Sequence, residues 1–170
     1  YNNVFVFGRS PGSSFSSDNA FSETNTWIHI VVTLDSNSDV RFYINGQINS
    51  TSTDTTALPD EKEREYHVVG KSLAADLGHS GRFFNGTIAY LRFWHGTVLD
   101  ATQVSTLYDN RPSIVPSTPT HDWDFRNQSG QSTITDSIDG SSLMSFYDNG
   151  SSATLPNDTG ATLTGTEYLV

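Results

Sequence analysis

The chain has 170 residues, enough for one domain with a sizeable core, since a chain of about 150 residues buries roughly two-thirds of its unfolded surface. Charged residues are 16% and aromatic residues 12%, a composition typical of a folded β protein and not of a disordered chain. The net charge of −10 and the 9 scattered Lys and Arg residues exclude nucleic-acid binding, and the absence of Cys excludes disulfides and thiol sites.

The first third of the chain alternates side chains in the way that β-strands do. Residues 1–8, YNNVFVFG, predict a strand with two apolar faces. Residues 27–34 and 40–44 predict a hairpin, with Thr33 on its outward face and a tight turn at Asn45-Gly46 after it. The residues predicted to face inward are Ile28, Ile30, Val32, Phe42 and Ile44.

Residues 48–65 predict a polar loop that ends in the charge cluster PDEKERE. Glu61, Glu63 and Glu65 would share one face if extended, which invites comparison with the carboxylate pairs of glycoside hydrolases. Lys62 and Arg64 lie between them, where a buried catalytic strand needs apolar residues, so a solvated loop is the better interpretation. A short strand at residues 66–69 follows.

Residues 86–94 predict a further strand, and a short helix comes after it. Asp100 is the predicted N-cap, and Gln103 three residues later completes a capping box. Residues 113–120, SIVPSTPT, predict an extended linker and mark an internal boundary. Beyond it, residues 121–170 predict several short strands, with Trp123 and Phe125 alternating with polar residues.

Three parts of the chain resemble the laminin-G-like modules of the concanavalin-A-like jelly-roll superfamily. They are the hairpin WIHIVVTLDSNSDVRFYING at residues 27–46, the strand and helix of residues 84–108, and the segments HDWDFR and ITDSIDG within residues 121–140. The resemblance implies an all-β fold: an antiparallel two-sheet jelly-roll sandwich with one short helix.

The order of the halves is swapped relative to such a module. Residues 1–112 are similar to its closing half, residues 113–120 form the linker, and residues 121–170 are similar to its opening half. In the family the first and last strands lie side by side. The late segment is therefore expected to complete either the sandwich of its own chain or that of a neighbouring copy.

The resemblance implies a non-catalytic extracellular structural or adhesion module, whose copies assemble in tandem or by strand exchange into a fibre. The alternative is a calcium-assisted lectin module with a glycan ligand, and a third hypothesis is a glycan-cleaving enzyme. No catalytic set supports the third hypothesis, because the residues predict neither a metal-ligand spacing nor a nucleophile turn. The histidines that would have to serve are His29, His67, His79, His95 and His121.

The predicted site residues are candidates for glycosylation. Five sequons of the form N-x-Ser/Thr have no proline in the middle, although the alternative interpretation is that they are ordinary polar turns. They begin at Asn49, Asn85, Asn127, Asn149 and Asn157. The Pro-flanked linker residues Ser117, Thr118 and Thr120 are candidates for O-linked sugars.

No cofactor or catalytic residue is predicted, and no apolar run is long enough to span a membrane. The position at which the family often carries an acidic calcium ligand holds Ala89. Asp136 and Asp139 could supply oxygen ligands to calcium, but an Asp before Ser or Gly is more often a turn former. Trp27 and Trp94 could stack on sugars, although aromatic residues of a sandwich usually belong to its core.

Overall fold

The computed structural model describes residues 6–8, 14–18, 25–53, 68–70, 84–111 and 117–170. Every strand pair among them is antiparallel, and one short helix is present, so the predicted all-β fold class is confirmed. The elements are β1 (Val6–Gly8), β2 (Ser14–Ser16), β3 (Ile30–Leu34), β4 (Asp39–Ile44), β5 (Gln47–Thr53), β6 (Asn85–Ile88), β7 (Tyr90–Phe93), α1 (Ala101–Asp109), β8 (His121–Asp124), β9 (Thr133–Thr135), β10 (Leu143–Asp148), β11 (Ser151–Ser152), β12 (Ala161–Thr164) and β13 (Glu167–Leu169).

The chain divides into two compact units that interleave along the sequence. Unit 1 consists of Tyr1–Lys62 and His95–Thr118, and unit 2 consists of Glu63–Trp94 and Pro119–Val170. The predicted organisation into residues 1–112, 113–120 and 121–170 stays a prediction. No helix among the described residues has the length and apolar character that crossing a bilayer requires.

Unit 1 contains the three-stranded sheet β3-β4-β5. Of the five residues predicted to face inward, Phe42 alone is buried, and it pairs with Val32 across β3 and β4. Phe42 is 1% exposed, whereas Ile28, Ile30, Val32 and Ile44 are half-buried. The predicted turn at Asn45-Gly46 is confirmed by positive φ angles of 50° and 79°.

The opposite face of the hairpin is also covered, which the alternation did not predict. Thr33 is buried and Tyr43 is 3% exposed. Leu99 is buried as well and lines a pocket with Arg41 and Tyr43. The prediction that Thr33 faces outward is therefore wrong, because its side chain is buried.

Helix α1 forms as its capping residues predict. The Gln103 amide donates to Asp100 Oδ1 over 2.8 Å, and the Asp100 amide donates to Gln103 Oε1 over 2.9 Å. This reciprocal pair satisfies two backbone donors that the first turn leaves without helical partners. Val104 and Leu107 are buried and give the helix its apolar side.

Unit 2 has a core to which five of its strands contribute. Trp123 and Phe125 point into it, as their alternation predicted. The strand predicted at residues 86–94 is divided at Ala89, whose carbonyl accepts the Phe125 amide. β6 therefore pairs with β12, and β7 pairs with β8. The buried residues of this core are Trp123, Phe125, Ile134, Met144, Phe146, Leu155, Ala161, Leu163 and Leu169.

Several predictions fall wholly or partly on residues that the structure does not describe. Residues 1–5 of the first predicted strand lie outside the described ranges, and β1 pairs with β2. The acidic cluster at residues 59–65, His67, His79 and linker residues 113–116 also lie outside them. Of the strand predicted at residues 66–69, Val69 forms a bridge with Leu169.

Candidate functional site

The first candidate site is the junction between β7 and β8, where the late segment of the chain meets the middle. The register places Arg92 opposite Asp122 and Leu91 opposite Trp123. Arg92 Nε donates to Asp122 Oδ1 over 2.9 Å, and the two side chains are only 7% and 13% exposed. The guanidinium also lies 4.4 Å from the Tyr90 ring centre, within cation–π range. One largely buried ion pair therefore couples the two segments.

The second junction pairs β6 with β12. Thr87 Oγ1 and Thr162 Oγ1 lie 3.0 Å apart, and Ala161 pairs with Ile88. Gly160 has a φ of +146°, and a Cβ there would overlap the Ile88 carbonyl oxygen. Two strands of residues 121–170 thus pair with two strands of residues 85–93, within one chain.

A cluster of three side chains lies next to the β7–β8 junction. His121 Nδ1 is 2.6 Å from Asp136 Oδ2 and 3.8 Å from Asp139 Oδ2, and the three atoms lie within 4.8 Å of one another. The His121 ring stacks on Trp123 with centres 5.2 Å apart and an interplanar angle of 16°. We call His121, Asp136 and Asp139 the His121 cluster.

Turn hydrogen bonds hold both carboxylates of this cluster. Asp136 Oδ1 accepts the amides of Asp122 and Ile138 over 3.0 and 2.8 Å. Asp139 Oδ1 accepts the amides of Ser141 and Ser142, and its Oδ2 accepts the Ser142 hydroxyl. Both Asp residues thus form turns, as the sequence favoured.

These hydrogen bonds also set the charge of the cluster. Burial raises the pKa of Asp136, but the donated hydrogen bonds outweigh it and leave that pKa below its ordinary value. The amides of Ser142 and Ser141 lower the pKa of Asp139 to about 2. Both carboxylates are therefore ionised at neutral pH.

The part that His121 has in this cluster was not predicted from the sequence. His121 is one of five histidines without a metal-ligand spacing in the sequence, whereas β8 places its ring against a turn 15 residues away. The available signal was the alternation of His121 with Trp123, which puts both on one face of the strand. The partner of that face could not be identified from residues 121–126 alone.

Three of the five sequons have exposed asparagines. Asn149 lies in the turn between β10 and β11 with a φ of 48°, and Asn127 has a φ of 57°. Asn85 is the first residue of β6. A glycan at these positions could extend into solvent without displacing a side chain from the core.

The other two sequons have half-buried asparagines. Asn49 lies within β5, and its Oδ1 accepts the Asp18 amide over 2.9 Å. Asn157 Oδ1 accepts the amide and hydroxyl of Thr159, while its Nδ2 donates to Thr162 Oγ1 over 3.0 Å. A glycan on Nδ2 would have to share that nitrogen with Thr162, which makes Asn157 a less accommodating position.

The remaining predicted residues differ in how exposed they are. Ser117 is half-buried, and Thr118 and Thr120 are exposed. Trp27 is 57% exposed and belongs to unit 1, while Trp94 is half-buried and belongs to unit 2.

Comparison with known protein families gives a match over the first part of the chain. A family model of the laminin G type, described as the concanavalin A-like lectin/glucanases superfamily, matches residues 2–105, more than half of the chain. Residues 121–170 lie beyond the matched range. No curated protein and no solved structure matches the chain.

Proposed function

The chain belongs to the concanavalin A-like lectin/glucanases superfamily, and on that premise we propose that it is a non-catalytic extracellular structural module whose copies assemble by exchanging residues 121–170. Laminin G-like domains are generally non-catalytic and typically extracellular. The exchange gives each copy one segment to donate and one pair of strands to receive a segment. Such a contact is head to tail, so it need not close and it builds a filament.

The observation that carries the proposal is the dependence of β6 and β7 on the late segment. Among the described residues, β6 forms a ladder only with β12, and β7 only with β8. Without residues 121–170 both strands would present unpaired backbone groups, which readily pair with a strand from another chain. Exchange would keep the same contacts and change only the chain that supplies them.

The Arg92–Asp122 pair provides the test. Two single variants, Arg92→Asp and Asp122→Arg, each place like charges across the β7–β8 junction. Removing one partner of a buried pair costs about 3–5 kcal/mol, and here the remaining charge also faces a like charge. In an exchanged assembly each variant should fail to polymerise alone. An equimolar mixture should polymerise, because alternating chains restore an opposite pair at every junction.

The matched control is the double variant Arg92→Asp/Asp122→Arg, which restores the pair whether the contact lies within one chain or between chains. Light scattering and electron microscopy measure the size of the assemblies, and thermal unfolding measures stability. If mixing leaves both single variants monomeric and equally unstable while the double variant recovers as a monomer, the late segment pairs within its own chain. That result would refute the exchange.

Glycosylation is the second part of the proposal, since it is expected of a secreted module. We expect glycans on at least one of Asn85, Asn127 and Asn149 when the chain is made in a secretory eukaryotic cell. Peptide mass mapping before and after glycosidase treatment measures each site. Asn157 is the internal comparison, because its amide nitrogen already donates to Thr162. Modification of Asn157 with all three exposed sequons empty would contradict the reasoning.

The alternative function is carbohydrate binding, with the exposed Trp27 as the stacking surface. A glycan array separates the two functions. A lectin should bind at about micromolar affinity and lose that binding in the Trp27→Ala variant, whereas a structural module should show no specific signal.

A further inference from the structure

We propose that His121, Asp136 and Asp139 form a binding site for a divalent transition-metal ion of the zinc type. The ligand atoms are His121 Nδ1, Asp136 Oδ2 and Asp139 Oδ2. They come from β8 and from the turn after β9, so an ion at this position would tie these two parts of unit 2 together.

The separations of the ligand atoms suit a small ion. Zinc binds nitrogen and oxygen ligands at about 2.0–2.2 Å, which places two ligands of a tetrahedral site about 3.3 Å apart. The observed distances from His121 Nδ1 are 2.6 Å to Asp136 and 3.8 Å to Asp139. Movements of less than about 1 Å would bring both to the zinc value.

The carboxylates are already oriented for this role. The Asp136 side chain is fully buried, and the two amides that bind its Oδ1 fix the direction of Oδ2 towards His121. Two further amides hold Asp139 Oδ1 in the same way. Hydrogen bonds to the outer atoms of metal ligands are how proteins orient such ligands and raise their affinity.

Charge and access also favour a cation. The two ionised carboxylates carry a charge of −2, which one divalent ion neutralises. The His121 side chain is 35% exposed, so a water molecule can complete the coordination from the solvent side. An imidazole nitrogen beside two carboxylates suits zinc, whereas calcium takes about six to eight oxygen ligands.

Metal binding would replace the hydrogen bond between His121 and Asp136. The Nδ1 lone pair is needed for the ion, so a proton on Nδ1 must move to Nε2 of a neutral ring or to water from a charged one. Without metal, the cluster is held by hydrogen bonds between β8 and the turn after β9. With metal bound, the ion would connect the same two parts of the chain.

The experiment is a titration of the purified, untagged chain with zinc chloride, followed by calorimetry and thermal unfolding. We expect one zinc ion per chain and a rise in melting temperature with zinc concentration, since a ligand that binds only the folded state stabilises it. Cobalt(II) gives an independent signature, because its visible absorption reports tetrahedral coordination.

Asp139→Asn is the informative variant, because its amide oxygen can still accept the Ser141 and Ser142 amides while the anionic ligand is lost. We expect zinc affinity to fall about a hundredfold in it and in His121→Gln. Asp158→Asn is the matched control, since Asp158 accepts the Ser129 amide in a separate turn. Its affinity should equal that of the wild type.

Three outcomes would overturn the proposal. They are no binding at millimolar zinc, equal affinity in all four proteins, and stabilisation by calcium but not by zinc. The second outcome would place the ion elsewhere on the chain, and the third would indicate an all-oxygen site.

Discussion

The tight approach of Gly160 to β6 gives a prediction whose size can be worked out from neighbouring atoms. In Gly160→Ala, the new Cβ would overlap the Ile88 carbonyl oxygen and lie 3.0 Å from the Ile88 carbonyl carbon. A non-glycine residue in this region of φ costs about 1–3 kcal/mol, and an overlap in a packed region adds about 1–3 kcal/mol. Together they give an expected loss of unfolding free energy of about 2–6 kcal/mol.

Gly165→Ala is the matched control. Gly165 has a φ of +123°, but a Cβ there meets no heavy atom within 4 Å among the described residues. This variant should therefore lose only the backbone part, about 1–3 kcal/mol. The difference of about 2 kcal/mol isolates the close approach of β12 to β6.

Urea unfolding measures the difference in stability between the two glycine variants, provided that the tryptophan fluorescence reports on unit 2 alone. In a Trp27→Phe background the remaining tryptophans, Trp94 and Trp123, both belong to unit 2. With a urea slope of about 2 kcal/mol per molar, the midpoints of the two glycine variants should differ by about 1 M. Equal midpoints would show that β12 does not lie against Ile88 in solution.

Two further predictions concern buried or partly buried polar groups. Burial raises the pKa of Glu167, but hydrogen bonds from Thr164 and Thr166 outweigh it and lower that pKa from 4.5 to about 2. Because the folded-state pKa lies below the unfolded-state pKa, ionised Glu167 stabilises the protein above pH 4.5, and this contribution should be lost as the pH falls from about 4.5 to 2. Glu167→Gln should therefore show a smaller change in urea midpoint over that pH range. Parallel plots of urea midpoint against pH for the variant and the wild type would contradict the prediction. The Thr33 hydroxyl is buried without a hydrogen-bond partner in the described part of the chain. Thr33→Val should therefore raise the unfolding free energy by about 1 kcal/mol, because it removes a buried polar group that has no partner. A decrease of that size in the same urea assay would show that the hydroxyl is hydrogen-bonded or exposed.

Features that depend on neighbouring residues could be predicted from the sequence. The capping box of α1 needs only Asp100 and Gln103, and the turn after β4 needs only Asn45 and Gly46. The inward phase of Trp123 and Phe125 follows from their alternation within one strand. In each case the interacting residues lie close together in the sequence, so the local sequence pattern is sufficient to predict the feature.

Features that depend on distant partners could not be predicted. Apolar alternation continues through Ala89, yet β6 and β7 pair with different strands on either side of it. Thr33 is predicted to face outward by alternation, yet it is buried, and Leu99, which lines a pocket with its cross-strand partner Arg41, comes much later in the chain. Only part of the His121 cluster could be predicted. Asp136 and Asp139 were recognisable from the sequence as turn residues, whereas His121 contacts them only because of where β8 lies in the fold.

The pairing of β6 with β12 has a consequence for how the protein is made. Thr87 and Thr162, which meet across this pair, are 75 residues apart. A ribosome adding about 5–20 residues per second needs roughly 4–15 s between them. Throughout that interval β6 has been synthesised and β12 has not, so β6 can pair only with a β12 strand of another chain that is not yet paired itself. Crowded synthesis on one messenger would therefore favour mixed pairing, whereas sparse synthesis would favour each chain closing on itself.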